Sequence, residues 1–399
     1  MREHKRNEVL ENEKRRIEGD VGPKVVDFVF REMQVDAEWS TRDERGFTWW
    51  GHHLAQRVWA DPVFVEDGEE IVRAHAEADV LRNVPDDPKT TQALGVLNTG
   101  ASLSGFVWET SSKKIMLRSS AFFHAENFHW LSKLFLSTVA IQAAEAHRYS
   151  TALARLFNAE PDESAHPRNG PRPDADEMLD VIPMFLQQGT TRAALTADEF
   201  QSAIPTSGGP WVMANADQNG LTAEFPFPGC MPPTALLTVR NDQCHPILGR
   251  GLLILLRLPV TCDTADAEIV CAKLNAAEAK EPTRCHFMGA WCTDSGEDLF
   301  QIGVMLTGVP VPARNTGAGL TFCSFLPSAL YQDGLLSVII YGMAHRARWA
   351  NEYLSSKEGM PELFGRRDPA AYNEQVEAHS SRITRFLKLA AQQRQKKPN

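Results

Sequence analysis

Apolar residues recur along the chain with two different periods, which predict both helices and strands. The clearest helical stripe lies in residues 125–154, where apolar side chains follow one another at helical spacing, namely Phe128, Leu131, Phe135, Val139 and Ala143. Residues 252–256 are instead apolar without interruption, which is typical of a strand at the centre of a sheet. The pattern therefore predicts a chain that combines both kinds of element.

The predicted elements occur twice in the same order. In the first region they are strands 56–60 and 71–84, helix 89–97, strands 103–110 and 114–123, and helix 125–154. In the second region they are strands 235–240 and 251–260, helix 264–279, strands 284–291 and 320–325, and helix 335–354. Adjacent strands joined by short turns pair in antiparallel fashion, so each region is predicted to form an antiparallel sheet with helices packed on one face. The predicted fold class is α+β with two tandem domains.

Two short matches indicate that the second region is a duplicate of the first. Leu97-Asn98 in the first short helix corresponds to Leu274-Asn275 in the second. The triplet Ala-His-Arg recurs near the end of each final helix, at 146–148 and 344–346. The second region is longer between these positions, and most of the excess is the Gly- and Pro-containing stretch 301–319, interpreted as an insertion or long hairpin.

Composition shifts mark the predicted domain boundaries. Residues 1–46 are predicted to be a charged arm followed by a short packing helix near 25–33, and residues 47–158 are the first domain. Residues 159–177 are rich in proline and charge, which predicts a linker. Residues 178–354 are the second domain, with the insertion 301–319, and residues 355–399 are a C-terminal helix with a basic tail.

Charge and cysteine content narrow the class of protein. The formal net charge is −10 over 399 residues, which argues against a general nucleic-acid binder. The first twenty residues are charged throughout and lack the apolar stretch of a signal peptide, and the most apolar window, 252–260, is too short to span a membrane. Seven cysteines, an odd number without a CxxC pair, favour reduced thiols. A cytoplasmic location without a membrane span is therefore expected.

Motifs for common catalytic chemistry are missing from the sequence. Ser102 and Ser104 do not have the G-x-S-x-G spacing of a hydrolase elbow, and no P-loop or G-x-G-x-x-G dinucleotide motif opens a helix. Carboxylate pairs such as Glu69-Glu70 lie in polar stretches typical of solvated turns. The sequence therefore predicts no catalytic residues and no cofactor.

Two clusters are candidates for metal or ligand binding, and a structural explanation is preferred for both. Cys285 and His286 lie close to Cys292, but neighbouring residues of a strand point to opposite faces and cannot easily bind one ion. His52-His53 adjoin Trp49-Trp50, where the favoured interpretation is a loop whose tryptophans cover the core. No metal site is expected.

The order of these elements resembles the YbjN-like domain, which shares its fold with type III secretion chaperones. In the first region the resemblance covers residues 71–148, notably ALGVLNTGASLSGFVWE and KIMLRSSAFF, and in the second it covers 252–349. The insertion and the presence of two copies in one chain depart from the family's usual single domain that dimerises. The resemblance implies a chaperone-like or regulatory protein-binding module of bacterial type, with the two copies forming an intramolecular pseudo-dimer or the chain a homodimer.

The leading hypothesis is thus a non-catalytic module that binds a client polypeptide. The candidate partner-binding residues are the aromatic anchors Trp49, Trp50, Trp291 and Trp349 and the arginines Arg148 and Arg346. For the two arginines, a favourable interaction with a helix C-terminus is the simpler explanation. The alternatives are a small-ligand sensor or enzyme with a pocket between the domains, drawing on residues 49–53 and Arg257, and a structural dimerisation module.

Overall fold

Two antiparallel sheets with helices packed against them make up the computed structural model, which confirms the predicted α+β class. The structure describes residues 20–66, 69–100, 102–182, 194–204, 211–230, 233–245, 248–280, 286–294 and 318–356. All strand pairs within these ranges are antiparallel.

The first half is built around a long central strand. Its elements are α1 (Val21–Glu32), β1 (Ser40–Arg42), β2 (Gly46–Trp50), β3 (Ala55–Ala60), β4 (Phe64–Glu66), β5 (Glu69–Arg82), α2 (Pro88–Leu97), β6 (Gly105–Glu109), β7 (Lys114–Phe123), α3 (Phe128–Phe157) and β8 (Glu160–Pro161). Asp20 caps the N-terminus of helix α1, because its side chain accepts a hydrogen bond from the Gly22 N–H. The helix buries one apolar stripe against the sheet.

The second half repeats these elements. They are α4 (Ala197–Ser202), β9 (Met213–Asp217), β10 (Gly220–Pro226), β11 (Thr234–His245), β12 (Gly249–Cys262), α5 (Thr264–Lys280), β13 (Ala290–Asp294), β14 (Ala318–Pro327) and α6 (Leu335–Leu354). The strand order is β1-β2-β3-β5-β7-β6 in the first sheet and β9-β10-β11-β12-β14-β13 in the second. Each strand of the second sheet thus has a counterpart at the same place in the first, which supports a duplication.

The two asparagines singled out in the sequence make the same interaction in both halves. The Asn98 carboxamide donates to the Phe106 carbonyl at 3.0 Å and accepts from the Phe106 N–H at 2.9 Å. The Asn275 carboxamide does the same with Trp291, at 2.8 and 2.7 Å. Because β6 and β13 are edge strands, one side of their backbone has no strand neighbour, and the asparagines satisfy groups that would otherwise be buried without a partner.

The edge strand of the second half starts later than predicted. The prediction placed a strand at 284–291, whereas β13 is Ala290–Asp294. Gly289, with φ of +138°, precedes it, and a Cβ at this glycine would lie 2.4 Å from the Cys323 carbonyl oxygen. His286 therefore lies ahead of the strand, and the alternation argument applied to it does not hold. Cys285 lies outside the described residues.

The segment predicted to be a linker packs instead along the first half. Residues 159–176, here called the strap, contain β8, which pairs with the end of β5. Ser164 N–H donates to the His53 carbonyl and Asp176 N–H to the Gly51 carbonyl, each at 2.8 Å. Because its polar groups are bonded to the loop between β2 and β3, the strap belongs structurally to the first half. The insertion 301–319, apart from the first two residues of β14, and the tail after 356 lie outside the described residues.

Corresponding elements of the two halves meet at a common seam. The Ser120 N–H donates to the Phe287 carbonyl at 2.9 Å, and the Phe325 N–H donates to the Ser102 carbonyl at 3.1 Å. Ser120 and Phe325 lie in the equivalent strands β7 and β14, whereas Ser102 and Phe287 each lie just before the edge strand of their half. Helices α2 and α5 also pack against each other. The halves are thus related by an approximate two-fold arrangement of contacts, as in a symmetric dimer.

Two histidines of the second half bond to backbone groups at this seam. His245 lies within hydrogen-bonding distance of the Gly100 carbonyl through Nε2, at 3.1 Å, and its Nδ1 accepts from the Leu248 N–H. His286 Nδ1 accepts from the Phe122 N–H at 3.1 Å. Burial lowers the pKa of both imidazoles to about 4, because an imidazolium would be poorly solvated there.

None of the helices in the described ranges has the length and apolar content needed to cross a bilayer.

Replacing either edge-strand asparagine should destabilise the chain. Asn98→Ala and Asn275→Ala each leave a buried backbone donor and acceptor unpaired, which should cost about 2–4 kcal/mol of unfolding free energy. Asn215→Ala, at an exposed position of edge strand β9, is the control and should change it by less than about 0.5 kcal/mol. Urea unfolding followed by circular dichroism measures both. Equal stability of Asn98→Ala and wild type would contradict the structural role.

Acidification should weaken the seam. The folded pKa of His245 lies below the unfolded value of about 6.5, so the unfolded chain binds more protons between these values. The stabilisation is complete above pH 6.5 and is lost as the pH falls towards 4, by up to about 3 kcal/mol for His245. His245→Gln should flatten this part of the unfolding free energy against pH, while the exposed His129→Gln should leave the wild-type slope. Identical slopes for His245→Gln and wild type would refute the assignment.

Candidate functional site

Two clefts lie along the seam, and they differ in chemistry. The first, called the apolar groove, runs between α3 of the first half and α6 of the second and has a volume of about 70 Å³. Its apolar lining consists of Leu103, Trp130, Leu131, Leu134, Ile254, Met288, Leu326, Leu335, Val338, Ile339 and Met343. Trp130, Val338 and Ile339 are only partly buried, so the groove presents apolar surface to solvent. Such surface on both sides of a seam is suited to contact with another apolar surface.

An ionic network closes one end of the apolar groove. The buried Arg346 Nε donates to Glu278 at 2.7 Å, and the Trp291 indole N–H donates to the other oxygen of the same carboxylate at 2.7 Å. The Arg346 guanidinium also donates to the His286 carbonyl and lies 3.7 Å from the centre of the Phe322 ring. Since every partner of this buried charge is fixed, the network holds α6 and α5 in register with β13.

The second cleft, called the polar cleft, lies where the end of α5 meets the first sheet. It has a volume of about 300 Å³ and is lined by Trp59, Asp61, His75, Ala76, Glu77, Arg118, Ser119, Ser120, Ala279, Lys280 and Phe287. His75 stacks on Trp59 with ring centres 4.8 Å apart, and its Nε2 lies 2.8 Å from Asp61. Acidic and basic side chains therefore lie together in the lining of the polar cleft.

A row of buried ionisable residues on β5 borders the polar cleft, and its members His75 and Glu77 line the cleft. The row consists of Arg73, His75, Glu77 and Asp79, which alternate with alanines, and none is more than 9 % exposed. Arg57 and Arg118 on the flanking strands pair with Glu77, and Arg57 also pairs with Asp79. Removing one partner of such a buried pair costs about 3–5 kcal/mol, so the row is an interdependent unit.

The corresponding face of the second sheet is apolar at the positions of His75 and Glu77, although Arg257 takes the place of Asp79. Strand pairing sets Ala78 opposite Leu117 and Leu256 opposite Phe322, so His75 and Glu77 correspond to Leu253 and Leu255. Both leucines are buried. The two halves thus have the same strand order, but this face carries ionisable side chains in the first half and mainly leucines in the second.

Burial and pairing shift the proton affinities in the polar cleft. Burial lowers the pKa of His75, against the opposing effect of its hydrogen bond to Asp61. The same hydrogen bond lowers the pKa of Asp61, whereas burial raises the pKa of Asp79 despite Arg57. A neutral imidazole beside a carboxylate and a guanidinium can hold a polar ligand by hydrogen bonds.

Four of the six residues predicted to contact a partner are buried. Trp49, Trp50 and Trp291 are at most 7 % exposed, and Arg346 is 2 % exposed and bonded internally as described. The structure corrects the expectation for these four, because the three tryptophans bury large apolar surfaces in the core and Arg346 is paired with the buried Glu278. The alternative that tryptophans 49 and 50 cover the core matches their burial.

The remaining two candidates are accessible to solvent, but their environments differ. Arg148 is exposed on α3, and Trp349 is half-buried on α6, where it stacks on Tyr353 with ring centres 5.3 Å apart. The matched His-Arg pairs therefore have different environments, with Arg148 exposed and Arg346 buried. Arg257, from the alternative hypothesis, is half-buried in β12 and does not line the polar cleft.

The ionisable row was not predicted from the sequence, although its pattern is visible there. Residues 73–79 spell RAHAEAD, in which charged or polar residues alternate with alanine along one strand. Such alternation normally indicates a solvent-facing side of a sheet. Only the three-dimensional arrangement shows that long arginines and the second half cover it.

Comparison with known proteins gives no relative: no family model, no curated protein and no solved structure matches this chain.

Proposed function

We propose that this chain is a non-catalytic, cytoplasmic protein-binding module that takes up an apolar segment of a partner polypeptide in the apolar groove. The observation that carries the proposal is the groove itself, to which both halves contribute aliphatic side chains and Trp130. The resemblance to chaperone-like domains supports the same function, as a client-binding adaptor or regulator of bacterial type. Partner binding would thus use the pseudo-dimer seam and not the tryptophans at 49, 50 and 291.

A glycine on the groove wall makes the proposal testable without disturbing the core. Gly342 lies on α6 and lines the groove, and a Cβ built there has no atom within 4 Å. A larger side chain at this position would therefore project into the groove and displace whatever occupies it. Alanine adds only one carbon and improves helix propensity by about 1 kcal/mol.

Gly342→Leu should abolish partner binding, whereas Gly342→Ala should retain it. The partner is captured from a cell extract by photocrosslinking from residue 338, identified by mass spectrometry, and its crosslinked peptide is synthesised with a fluorescent label. Anisotropy titration should give wild-type affinity for Gly342→Ala and at least about tenfold weaker binding for Gly342→Leu, about 1.4 kcal/mol. Thermal unfolding checks that both variants are folded. Equal affinity of the two folded variants would reject the groove as the binding site.

The polar cleft supports a second candidate function, the sensing of a small charged ligand. The observation that favours it is the buried ionisable row beside His75, an arrangement found more often at functional sites than in structural cores. A ligand carrying both charge signs would match the lining, with its anionic group near Arg118 and Lys280 and its cationic group near Asp61.

Thermal-shift screening distinguishes this candidate from the first. Amino acids, organic acids and nucleotides are tested at millimolar concentration, and a ligand at 100 times its dissociation constant should stabilise the fold by about 2.7 kcal/mol. The shift should survive Gly342→Leu and shrink in Lys280→Ala, while the exposed Lys133→Ala is the matched control. A screen without a shift, or one unaffected by Lys280→Ala, would argue against a sensor.

A further inference from the structure

Helix α6 forms one wall of the apolar groove and is also the last helix that the structure describes. Leu335, Val338 and Ile339 of this helix line the groove, and the described chain ends at Ser356, two residues beyond the helix. Residues 357–399 therefore continue from the helix whose side chains line the groove.

One stretch of residues 357–399 has the pattern of an amphipathic helix. Four apolar residues recur at positions i, i+3, i+4 and i+7, namely Ile383, Phe386, Leu387 and Ala390. A helix over these residues would place Arg385 and Lys388 on its opposite face. Residues 383–390 are here called the tail stripe. Their apolar face has the spacing with which an amphipathic helix occupies an apolar groove.

The chain between α6 and the tail stripe has the length needed to bring the stripe to the groove. Residues 357–382 number 26, and a flexible chain of this length spans about 28 Å on average. Ile339, in the groove, lies fifteen residues before Leu354, the end of α6, which is about 23 Å along the helix axis. Because these two lengths are close, the connection holds the stripe near the groove at an effective concentration of about 1 mM.

Charge also favours an approach of the tail stripe to the rest of the chain. Residues 381–399 contain six basic side chains and no acidic one, namely Arg382, Arg385, Lys388, Arg394, Lys396 and Lys397. The formal net charge of the whole chain is −10, so residues 1–380 carry −16. The opposite charges attract the segment towards the remainder of the protein, and its apolar face selects the groove.

The groove wall has a gap that a large side chain of the tail stripe can fill. Gly342 lies one helical turn from Val338 on one side and from Arg346 on the other, and all three line the groove. A Cβ built on Gly342 has no atom within 4 Å, so this position of α6 leaves open space. Phe386 is the largest residue of the stripe and is suited to this gap.

We propose that residues 383–390 bind as an amphipathic helix in the apolar groove of their own chain and thereby compete with the partner polypeptide. The inference rests on the proposed function, because it assigns an internal competitor to the same groove. If the stripe alone binds with a dissociation constant of about 0.1 mM, an effective concentration of about 1 mM weakens partner binding about tenfold. The partner must then displace the tail stripe.

A fluorescent peptide with the sequence of residues 380–394 measures access to the groove without a partner. Its binding to the full chain is followed by anisotropy. In the variant Phe386→Asp/Leu387→Asp the internal stripe is disabled, so the peptide should bind at least about fivefold more tightly than to wild type. The matched control Thr384→Asp/Gln392→Asp adds the same charge on the polar face and should bind the peptide as wild type does.

Two further measurements locate the site within one chain. Adding Gly342→Leu to the disabled-stripe variant should abolish peptide binding. A photocrosslinker at residue 338 should react with residues 383–390 of the same chain, which mass spectrometry of mixed isotope-labelled and unlabelled protein distinguishes from a reaction between two chains. Circular dichroism checks that every variant is folded.

Equal peptide affinity for wild type and the disabled-stripe variant would overturn the proposal, as would crosslinks that join only different chains. The result is separable from the proposed function. Peptide binding that Gly342→Leu abolishes, without any partner found for the groove, would support the tail stripe and count against the partner. A partner that binds the groove and is not displaced by the peptide would count against the tail stripe alone.

Discussion

The backbone hydrogen bonds Ser120 N–H to Phe287 O and Phe325 N–H to Ser102 O join the two halves through equivalent strands. The backbone at the start of β6 also approaches the second half so closely that a Cβ on Gly105 would lie 2.6 Å from the Gly289 carbonyl oxygen. In each edge strand, an asparagine also satisfies the outward N–H and carbonyl of one residue. Covering part of an exposed strand edge in this way disfavours edge-to-edge association between molecules.

The two sheets make different contacts where each meets the other half of the chain. Where the second sheet meets the first half, the Cys323 thiol donates to the Thr99 carbonyl and the Phe325 N–H donates to the Ser102 carbonyl. Where the first sheet meets the second half, Arg73 reaches the Glu278 carbonyl at 2.9 Å beside the open polar cleft. A duplicated pair of identical domains would offer the same face twice. The buried charges on this face contribute little net stability, since apolar residues of similar volume would stabilise it as well or better.

Much of the fold could be predicted from the sequence, because the spacing of apolar residues reflects which face of a helix or strand is buried. The helical stripe at Leu131 and Phe135 and the apolar run at 252–256 identified α3 and β12 directly. The asparagine pair marked an interaction that both halves share. The pattern did not predict long-range contacts. The strap was interpreted as a linker because proline and charged residues are typical of linkers and also of irregular segments that pack on a surface. Trp49 and Trp291 looked like surface anchors because sequence does not reveal which aromatic side chains a second layer covers.

The same limitation applied to the clusters of polar side chains. His52 and His53 were visible as neighbours, but His147 approaches His52 only because α3 crosses the β2–β3 loop. The ionisable row was visible as RAHAEAD, yet its burial depends on arginines from β3 and β7. In each case the chemistry arises from side chains more than fifteen residues apart, whose meeting is decided by topology. The apolar groove is the extreme example, since α3 of the first half and α6 of the second each supply only one of its two walls. Binding at the seam would therefore require both halves of the chain, because each half supplies only part of the surface.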